Sequence, residues 1–363
     1  MATTKDRSYG TPSILEKVGL GASLLLHLPL TLGWTLLASP FHLNNKHKAW
    51  TRVLGDKYFY FLTGHFNIKQ LQWALGDTRE VYNNWMKGQK LPQVVDELGE
   101  NSRLLWIGKR RTDRVVLYLH GGAYVLPMQY FVPDFWKYAL HDLKNKDKEA
   151  GFAILQYSLV PTAPHPAPVT QAVLAVQHLI SSGVQPQNIQ IVSDSAGGGL
   201  ALQLLSHILH PLPSVPRLTL SAPLGGAFLM SPWVSLTGQT GSMLSNDDND
   251  VIGVGCLTYW GCIVLDDVPE ASRPYLEALR APEGWFKDLD TAVQRVLITA
   301  GDAECLRDEI VVVAKEICRH HEGARYVVQQ YGVHNDPYFD FLTMEKKKSE
   351  LTPVILEWLA AGF

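Results

Sequence analysis

Residues 189–205 read IQIVSDSAGGGLALQLL, an apolar run that passes through SDSAGG directly into a second apolar run. The first run has the length and branched side chains of a buried strand, and the second has those of a helix. A serine on so tight a strand-to-helix turn has its hydroxyl lifted above the sheet, beside the helix N-terminus. The stretch therefore predicts that Ser195 is a nucleophile and that Ala196 offers its N–H to the substrate.

This turn departs from the G-x-S-x-G pattern at its first position, because Ser193 stands where glycine is usual. Serine is small, so we expect the turn to be strained but intact. A glycine-rich helix start that binds phosphate is the alternative interpretation of the same residues. Two further motifs distinguish between these interpretations.

Short apolar runs alternate with helical stretches on both sides of the turn. The predicted strands span 115–120, 152–157, 189–194, 226–231, 295–301 and 324–331, and the predicted helices span 166–182, 196–209, 306–320 and 337–361. Continuous apolar runs are typical of strands that helices cover on both faces. The alternation therefore predicts an α/β fold with a central, mostly parallel sheet.

The first further motif is HGGAY at 120–124, directly after a predicted strand. Acyl transfer generates an oxyanion, and preorganised backbone N–H groups lower its energy. Adjacent glycines allow the backbone to approach a substrate closely. Gly121 and Gly122, together with Ala196, are therefore predicted to form an oxyanion hole. A simple turn is the alternative for a glycine pair, but the position at a strand end upstream of the serine favours the hole.

The second further motif is GVHND at 332–336, after the last predicted strand. The chain order nucleophile, acid, histidine makes His334 the predicted general base. The acid is expected on the turn after strand 295–301, which carries Asp302, Glu304 and Asp308. Spacing alone leaves the choice among these three carboxylates open.

The N-terminal region contains a long apolar segment, VGLGASLLLHLPLTLGWTLLASPF at 18–41, with no Asp, Glu, Lys or Arg in its 24 residues. As a helix it would extend about 36 Å, enough to cross a bilayer core. Three interpretations are open: a segment that spans or dips into a membrane, a buried helix that caps an apolar pocket, and a cleaved signal peptide. The protein is accordingly expected to be membrane-associated or cytoplasmic, with a membrane surface as one partner.

Composition bounds the remaining possibilities. The chain has 363 residues, 46% of them hydrophobic, and a formal net charge of −3 without a basic stripe, so nucleic acid is not an expected partner. The four cysteines lack zinc-ligand spacing, and no metal is expected. Residues 1–100 are predicted to be an apolar segment with a helical cap, 101–231 and 293–363 the sheet core, and 232–292 an inserted second cap.

Several motifs occur together in one order: HGGAY, DSAGG, YSLVPTAPHPAP at 157–168, SPW at 231–233 and ECLRDE at 304–309. In this order the chain resembles the hormone-sensitive-lipase-like branch of the α/β-hydrolases, and in particular its fungal biosynthetic members. The resemblance implies that the acid lies two positions before the Leu-Arg-Asp run, at Glu304, with Asp302 as the second candidate. It also implies a cap over the acyl pocket, formed by residues 1–100.

Motifs and resemblance together predict a carboxylic-ester hydrolase that needs no metal or organic cofactor. In this hypothesis Ser195 forms an acyl-enzyme, His334 acts as the base and Glu304 orients it. The aromatic and apolar cap residues favour a hydrophobic small-molecule substrate, and the resemblance to fungal biosynthetic members implies a role in secondary metabolism. The alternative is a non-hydrolytic enzyme of the same fold, such as a cyclase, a condensing enzyme or an acyltransferase.

Overall fold

The computed structural model describes residues 8–42, 45–238 and 241–363, and its centre is one eight-stranded sheet with the order β1-β2-β4-β3-β5-β6-β7-β8. The strands are β1 Val94–Gly99, β2 Ser102–Ile107, β3 Val115–Leu119, β4 Gly151–Gln156, β5 Ile189–Asp194, β6 Gly226–Met230, β7 Val296–Gly301 and β8 Ala324–Gln329. Strand β2 is antiparallel to both β1 and β4, and the remaining neighbours are parallel. The predicted α/β-hydrolase architecture is therefore confirmed.

Helices flank this sheet and extend above its carboxyl edge. They are α1 Ile14–Ala22, α2 Leu28–Ala38, α3 Trp50–His65, α4 Ile68–Leu75, α5 Thr78–Gly88, α6 Val132–Asn145, α7 Ala167–Ser181, α8 Ala196–Leu209, α9 Ser242–Ser245, α10 Val254–Val264, α11 Arg273–Leu276, α12 Arg307–His320, α13 Asp336–Leu342 and α14 Leu351–Ala361. A π-helical turn, Ser23–His27, joins α1 to α2, and the helical path continues to Phe41. Helices α9–α11 lie between β6 and β7, within the segment that the sequence predicts to be an insertion.

The central strands are apolar throughout because they are covered on both faces. Every residue of β3, β5, β6 and β7 is buried. Helix α8 is buried along its first twelve residues, 196–207, which explains why its sequence shows no polar face. The parallel strands therefore deliver the residues that follow them to one common edge of the sheet.

Two expectations about secondary structure are wrong. The helical cap predicted within residues 1–100 is not helical to its end, because β1 occupies its last part as a half-exposed edge strand with Asp96 and Glu97 in its middle. Mixed polar sequence of this kind lacks the apolar run by which the inner strands are detected. The predicted helix 337–361 is two helices, α13 and α14, since the chain turns between them with Met344 in the left-handed region at φ 55°.

The path from α1 to α2, residues 14–41, packs against α3 and α4 along one side and is named the N-terminal helix below. Leu20 is its single buried residue among those described. Most of its large apolar side chains are exposed, including Leu25, Leu26, Leu30, Trp34, Leu37 and Phe41. It is long and apolar enough to cross a membrane, by length and composition. This exposure contradicts the interpretation of the segment as a buried cap helix.

The N-terminal cap is tied to the sheet domain through a buried charge cluster. Arg52 of α3 donates to Asp56 on its own helix at 2.6 Å and to Asp336 and Asp340 of α13. Burial by itself would lower the pKa of Arg52. The surrounding carboxylates outweigh this effect, so the pKa of Arg52 lies above its usual value. Removing one partner from such a buried cluster would leave a charge uncompensated. The cluster therefore holds the cap against the helix that follows His334.

Candidate active site

Ser195 occupies the strained turn between β5 and α8. Its backbone has φ 51° and ψ −121°, outside the regions that non-glycine residues favour. Its N–H donates to the Met230 carbonyl at 2.9 Å, and its carbonyl accepts from the Trp233 N–H at 2.9 Å. A Cβ at Gly197 would lie 2.0 Å from the Leu119 carbonyl oxygen, so glycine is required there. Strained backbone that the surroundings hold in place is a feature of functional sites.

Ser193 occupies the position where glycine is usual without disrupting this turn. Its side chain is buried, and its hydroxyl donates to the Phe228 carbonyl at 2.8 Å. A buried hydroxyl that has a hydrogen-bond partner carries little penalty. The departure from the common pattern is therefore accommodated by the neighbouring strand β6.

The glycine pair after β3 faces the serine turn. A Cβ at Gly121 would lie 2.2 Å from Asp194 Oδ2, and one at Gly122 would lie 2.4 Å from the Leu126 carbonyl oxygen. The Gly121 N–H donates to Asp194 Oδ1 at 3.1 Å. The N–H groups of Gly122 and Ala196 have no backbone or side-chain acceptor in the described part of the chain. The geometry thus leaves these two donors free, and the Gly121 N–H is already engaged.

His334 follows β8 and is buried, with its Nδ1 3.8 Å from Glu304 Oε1. The other oxygen of Glu304 accepts from the Ser231 hydroxyl at 2.6 Å and from the Gly301 N–H at 2.8 Å. Burial lowers the pKa of His334, but Glu304 and the nearby carboxylates of Asp250 and Asp194 outweigh it and raise the pKa above its usual value. The acid that faces the histidine is therefore Glu304.

The other carboxylates of the same turn have different surroundings. Asp302 is half-buried, and its backbone carbonyl accepts from Asn246 and Arg307. The carboxylate of Asp308 accepts from the Ser242 N–H and from Arg307 Nε, and these contacts lower its pKa. Neither arrangement directs a carboxylate at His334.

The imidazole of His334 is not yet engaged. Neither ring nitrogen has a hydrogen-bond partner within the residues that the structure describes, and neither has Glu304 Oε1. Catalytic hydrogen bonds are often long before substrate binds and shorten in the complex. The arrangement places an imidazole and a carboxylate within a small movement of each other at the carboxyl edge of the sheet.

Two buried carboxylates near the site were missed by sequence reasoning. Asp194 accepts from the Tyr118 hydroxyl, the Gly121 N–H and Asn335 Nδ2, and burial raises its pKa to about 6. Asp250 accepts the His334 N–H at 2.8 Å. The sequence signal for Asp194 was its place inside DSAGG, whereas Asp250 lies in the polar run 246–250, which looks like a plain loop.

A small enclosed cavity adjoins Ser195, the glycine pair and His334. Its volume is about 50 Å³. The walls are mostly apolar and aromatic: Phe59, Leu126, Phe131, Trp233, Ile252, Leu257, Trp260 and Phe339. Phe59 comes from α3 and Trp260 from α10, so both caps contribute to the roof. Such a pocket fits a small apolar group beside the serine.

Known proteins resemble this chain in sequence and in fold. The family described as steryl acetyl hydrolase matches residues 61–352. An acetyl-hydrolase of Streptomyces hygroscopicus is 32% identical over 40% of this chain and 45% of its own, and steryl acetyl hydrolase 1 of Saccharomyces cerevisiae is 21% identical over 63% of this chain and 55% of its own. The chain spans about half the length of the curated relatives it matches.

Solved structures agree on the fold. A crystal structure of an esterase from the bacterial hormone-sensitive lipase family covers 87% of this chain and 99% of its own, with a TM-score of 0.65 and 21% identity. The sheet, the helices around it and this neighbour define the α/β-hydrolase class of folds. Within that class, the chain belongs to the steryl acetyl hydrolase family, because the family match covers most of its length.

Proposed function

We propose that the protein is a serine hydrolase that cleaves a carboxylic ester of a hydrophobic small molecule. The observation that carries the proposal is the convergence of the strained Ser195 turn, the free N–H groups of Gly122 and Ala196, and the Glu304–His334 pair on one apolar cavity. Each part corresponds to a need of acyl transfer: a nucleophile, a site for the oxyanion and a base.

The proposed reaction begins when the hydroxyl oxygen of Ser195 attacks the ester carbonyl and its proton passes to His334 Nε2. The N–H groups of Gly122 and Ala196 bind the oxyanion, and Gly121 joins them if its N–H turns away from Asp194. His334 then protonates the departing alcohol, which leaves the acyl group on Ser195. Water attacks the acyl-enzyme, His334 accepts its proton, and that proton returns to Ser195 as the acid leaves. Glu304 stabilises the imidazolium throughout.

We further propose that the acyl group is short and that acetate is the preferred one. A cavity of about 50 Å³ holds about four groups of water size, if each needs about 10–15 Å³. This volume suits an acetyl group better than a long chain. Relatives named as acetyl and steryl acetyl hydrolases point to the same acyl group and to a sterol-like alcohol. Such an alcohol exceeds the cavity, so it would lie between the cap elements that carry Phe59 and Trp260.

The N-terminal helix suggests that the enzyme binds such a substrate at a membrane surface. We propose that this helix inserts into a membrane, because most of its large apolar side chains are exposed and charged residues are absent from 18–41. Large exposed apolar patches mark membrane or protein contacts. A Leu26→Glu, Leu30→Glu, Leu37→Glu variant should lose flotation with phosphatidylcholine vesicles and keep its activity on a soluble ester. Val312→Glu, at an exposed site on the body, is the control and should float like the wild type.

The test of hydrolase function is reaction of the purified protein with a fluorophosphonate probe, read by intact mass. One adduct on the wild type is expected, with none on Ser195→Ala and strongly slowed formation on His334→Ala. No adduct on a folded, detergent-treated wild type would reject the serine hydrolase proposal and leave the non-hydrolytic enzyme as the better hypothesis.

The acyl preference is tested with a series of p-nitrophenyl esters of acetate, butyrate and octanoate. We expect kcat/KM to fall by about tenfold or more from acetate to butyrate, since a closed pocket discriminates strongly against added methylenes. Equal or rising values along the series would reject the proposed acetate preference without affecting the nucleophile.

A further inference from the structure

One buried carboxylate joins the two turns that carry the acid and the histidine. Asp250 accepts the N–H of Val251 at 2.7 Å and that of His334 at 2.8 Å through Oδ1, and the N–H of Cys305 at 2.7 Å through Oδ2. Cys305 is the residue after Glu304. A single side chain thus bridges the backbones beside both members of the acid–histidine pair.

The segment that carries Asp250 contacts the acid turn at further points. Asn246 Nδ2 donates to the carbonyls of Asp302 at 2.9 Å and Glu304 at 3.0 Å. The hydroxyl of Ser242 donates to the Cys305 carbonyl at 2.7 Å. Residues 242–250 lie in the stretch inserted between β6 and β7. The hydrogen bonds that hold the turn around Glu304 therefore come from a segment outside the sheet.

We propose that Asp250 is a positioning residue for the reaction: it sets the spacing between the Glu304 and His334 turns and adds a second negative charge beside the histidine. The inference rests on the serine hydrolase function proposed above. Asp250 does not touch substrate in this role, because it acts through the two turns that it holds.

The charges around the histidine give this role a measurable signature. Burial lowers the pKa of His334. The carboxylates that raise it are those of Glu304, Asp250 and Asp194. Asp250 itself faces His334 and Glu304, and burial raises its pKa to about 6. At pH 8 Asp250 is therefore ionised, and replacing it by a neutral group should lower the pKa of His334.

Asparagine cannot reproduce these contacts. Both oxygens of Asp250 accept backbone N–H groups, so an amide placed there directs its NH₂ group at another donor. An unpaired donor then remains buried at either the Cys305 or the His334 turn, and the turn is expected to shift. Asp250→Asn therefore removes the charge and one anchor together, whereas Asp248→Asn makes the same chemical change two residues away at an exposed position.

The experiment compares wild type, Asp250→Asn and Asp248→Asn in the full chain by pH profiles of kcat/KM on p-nitrophenyl acetate. For Asp250→Asn we expect a loss of kcat at pH 8 of about 10- to 100-fold with little change in KM. We also expect the acidic limb of the kcat/KM profile to lie about one pH unit lower than in the wild type, because the pKa of His334 falls. Asp248→Asn should match the wild type in both respects.

The outcomes separate the two proposals. If the wild type itself fails to react with fluorophosphonate, the hydrolase function is rejected. If the wild type reacts but Asp250→Asn keeps the wild-type acidic limb and kcat, the positioning role is rejected. Should Asp250→Asn fail to fold, Asp250→Ser replaces it, because its hydroxyl still accepts one N–H group while the charge is gone. A lowered acidic limb in the serine variant supports the proposal, and an unshifted limb rejects it.

Discussion

The side of the proposed active site that carries Ser195, called the nucleophile side, and the side that carries Glu304 and His334, called the acid–histidine side, are built in different ways. On the nucleophile side, backbone conformation and close glycine contacts between adjacent strands β3 and β5 shape the turn. On the other side, Glu304 and His334 are held by side chains from remote segments, namely Ser231 and Asp250. Backbone geometry leaves a compact motif in the sequence, whereas support from distant side chains does not.

The two sides are expected to differ in how well they tolerate amino-acid substitutions. A Cβ added to the nucleophile side meets backbone atoms that cannot move aside, as at Gly197 and Gly122. On the acid–histidine side the pair stands 3.8 Å apart with an unpaired oxygen and two unpaired nitrogens among the described residues, so this half has room to adjust. We infer that the first half is rigid before substrate binds and that the second half tightens with it.

The largest effect is expected at the nucleophile. Ser195→Ala should lower kcat on p-nitrophenyl acetate by about 10⁶-fold, because the covalent step is lost while the oxyanion donors remain. The melting temperature of the variant should stay close to that of the wild type. Residual activity within tenfold of the wild type would mean that the rigid half does not carry the nucleophile.

The acid choice is tested by a matched pair of isosteric variants. Glu304→Gln should lower kcat by about 10⁴-fold, since an uncharged partner no longer holds the histidine tautomer or stabilises the imidazolium. Asp302→Asn makes the same change two residues earlier and should retain activity near the wild-type level. The reverse order of the two effects would assign the acid to Asp302.

A methyl group on the oxyanion side should have a smaller but clear effect. Gly122 has φ 113°, and the new Cβ of Gly122→Ala would lie 2.4 Å from the Leu126 carbonyl oxygen. We expect a loss of kcat of about 10²- to 10³-fold from the displaced donor. Gly183→Ala is the control, because Gly183 has φ 97° but open space around it. Equal losses in both variants would trace the effect to backbone strain alone.

The smallest predicted effect is a pH dependence. His334 acts as a base only when it is neutral, and its pKa is raised by Glu304, Asp250 and Asp194 despite burial. Therefore kcat/KM should decline as pH falls through this raised pKa, by about tenfold per pH unit below it. In Glu304→Gln the residual activity should decline at a lower pH than in the wild type. A profile independent of pH between 5 and 8, about the range in which histidine changes charge, would contradict the role of His334.

The sequence pattern predicted most of the fully buried strands and helices at their observed positions. The inner strands β3 and β5–β7 and helices α7, α8 and α12 lie within about two residues of their predicted positions, because continuous apolar runs leave little ambiguity. Strand β1 escaped prediction because an edge strand exposed on one side carries polar residues, whereas β2 was missed although it is buried and carries the apolar run LLWI. The break between α13 and α14 depends on a left-handed residue that no composition rule identifies.

The sequence by itself determined the order of the motifs and thereby the class: a serine on a strand-to-helix turn, a glycine pair upstream and a histidine downstream. The resemblance already implied Glu304 among the three carboxylates, but only the tertiary structure shows that Glu304 lies beside His334 and that most of the N-terminal helix is exposed. It also revealed that Asp250, from the inserted segment, binds both turns of the acid–histidine pair. The physical reason is the distance along the chain over which each feature is set. The conformation of a turn depends on neighbouring residues, whereas the surroundings of a buried carboxylate come from segments far apart in the chain.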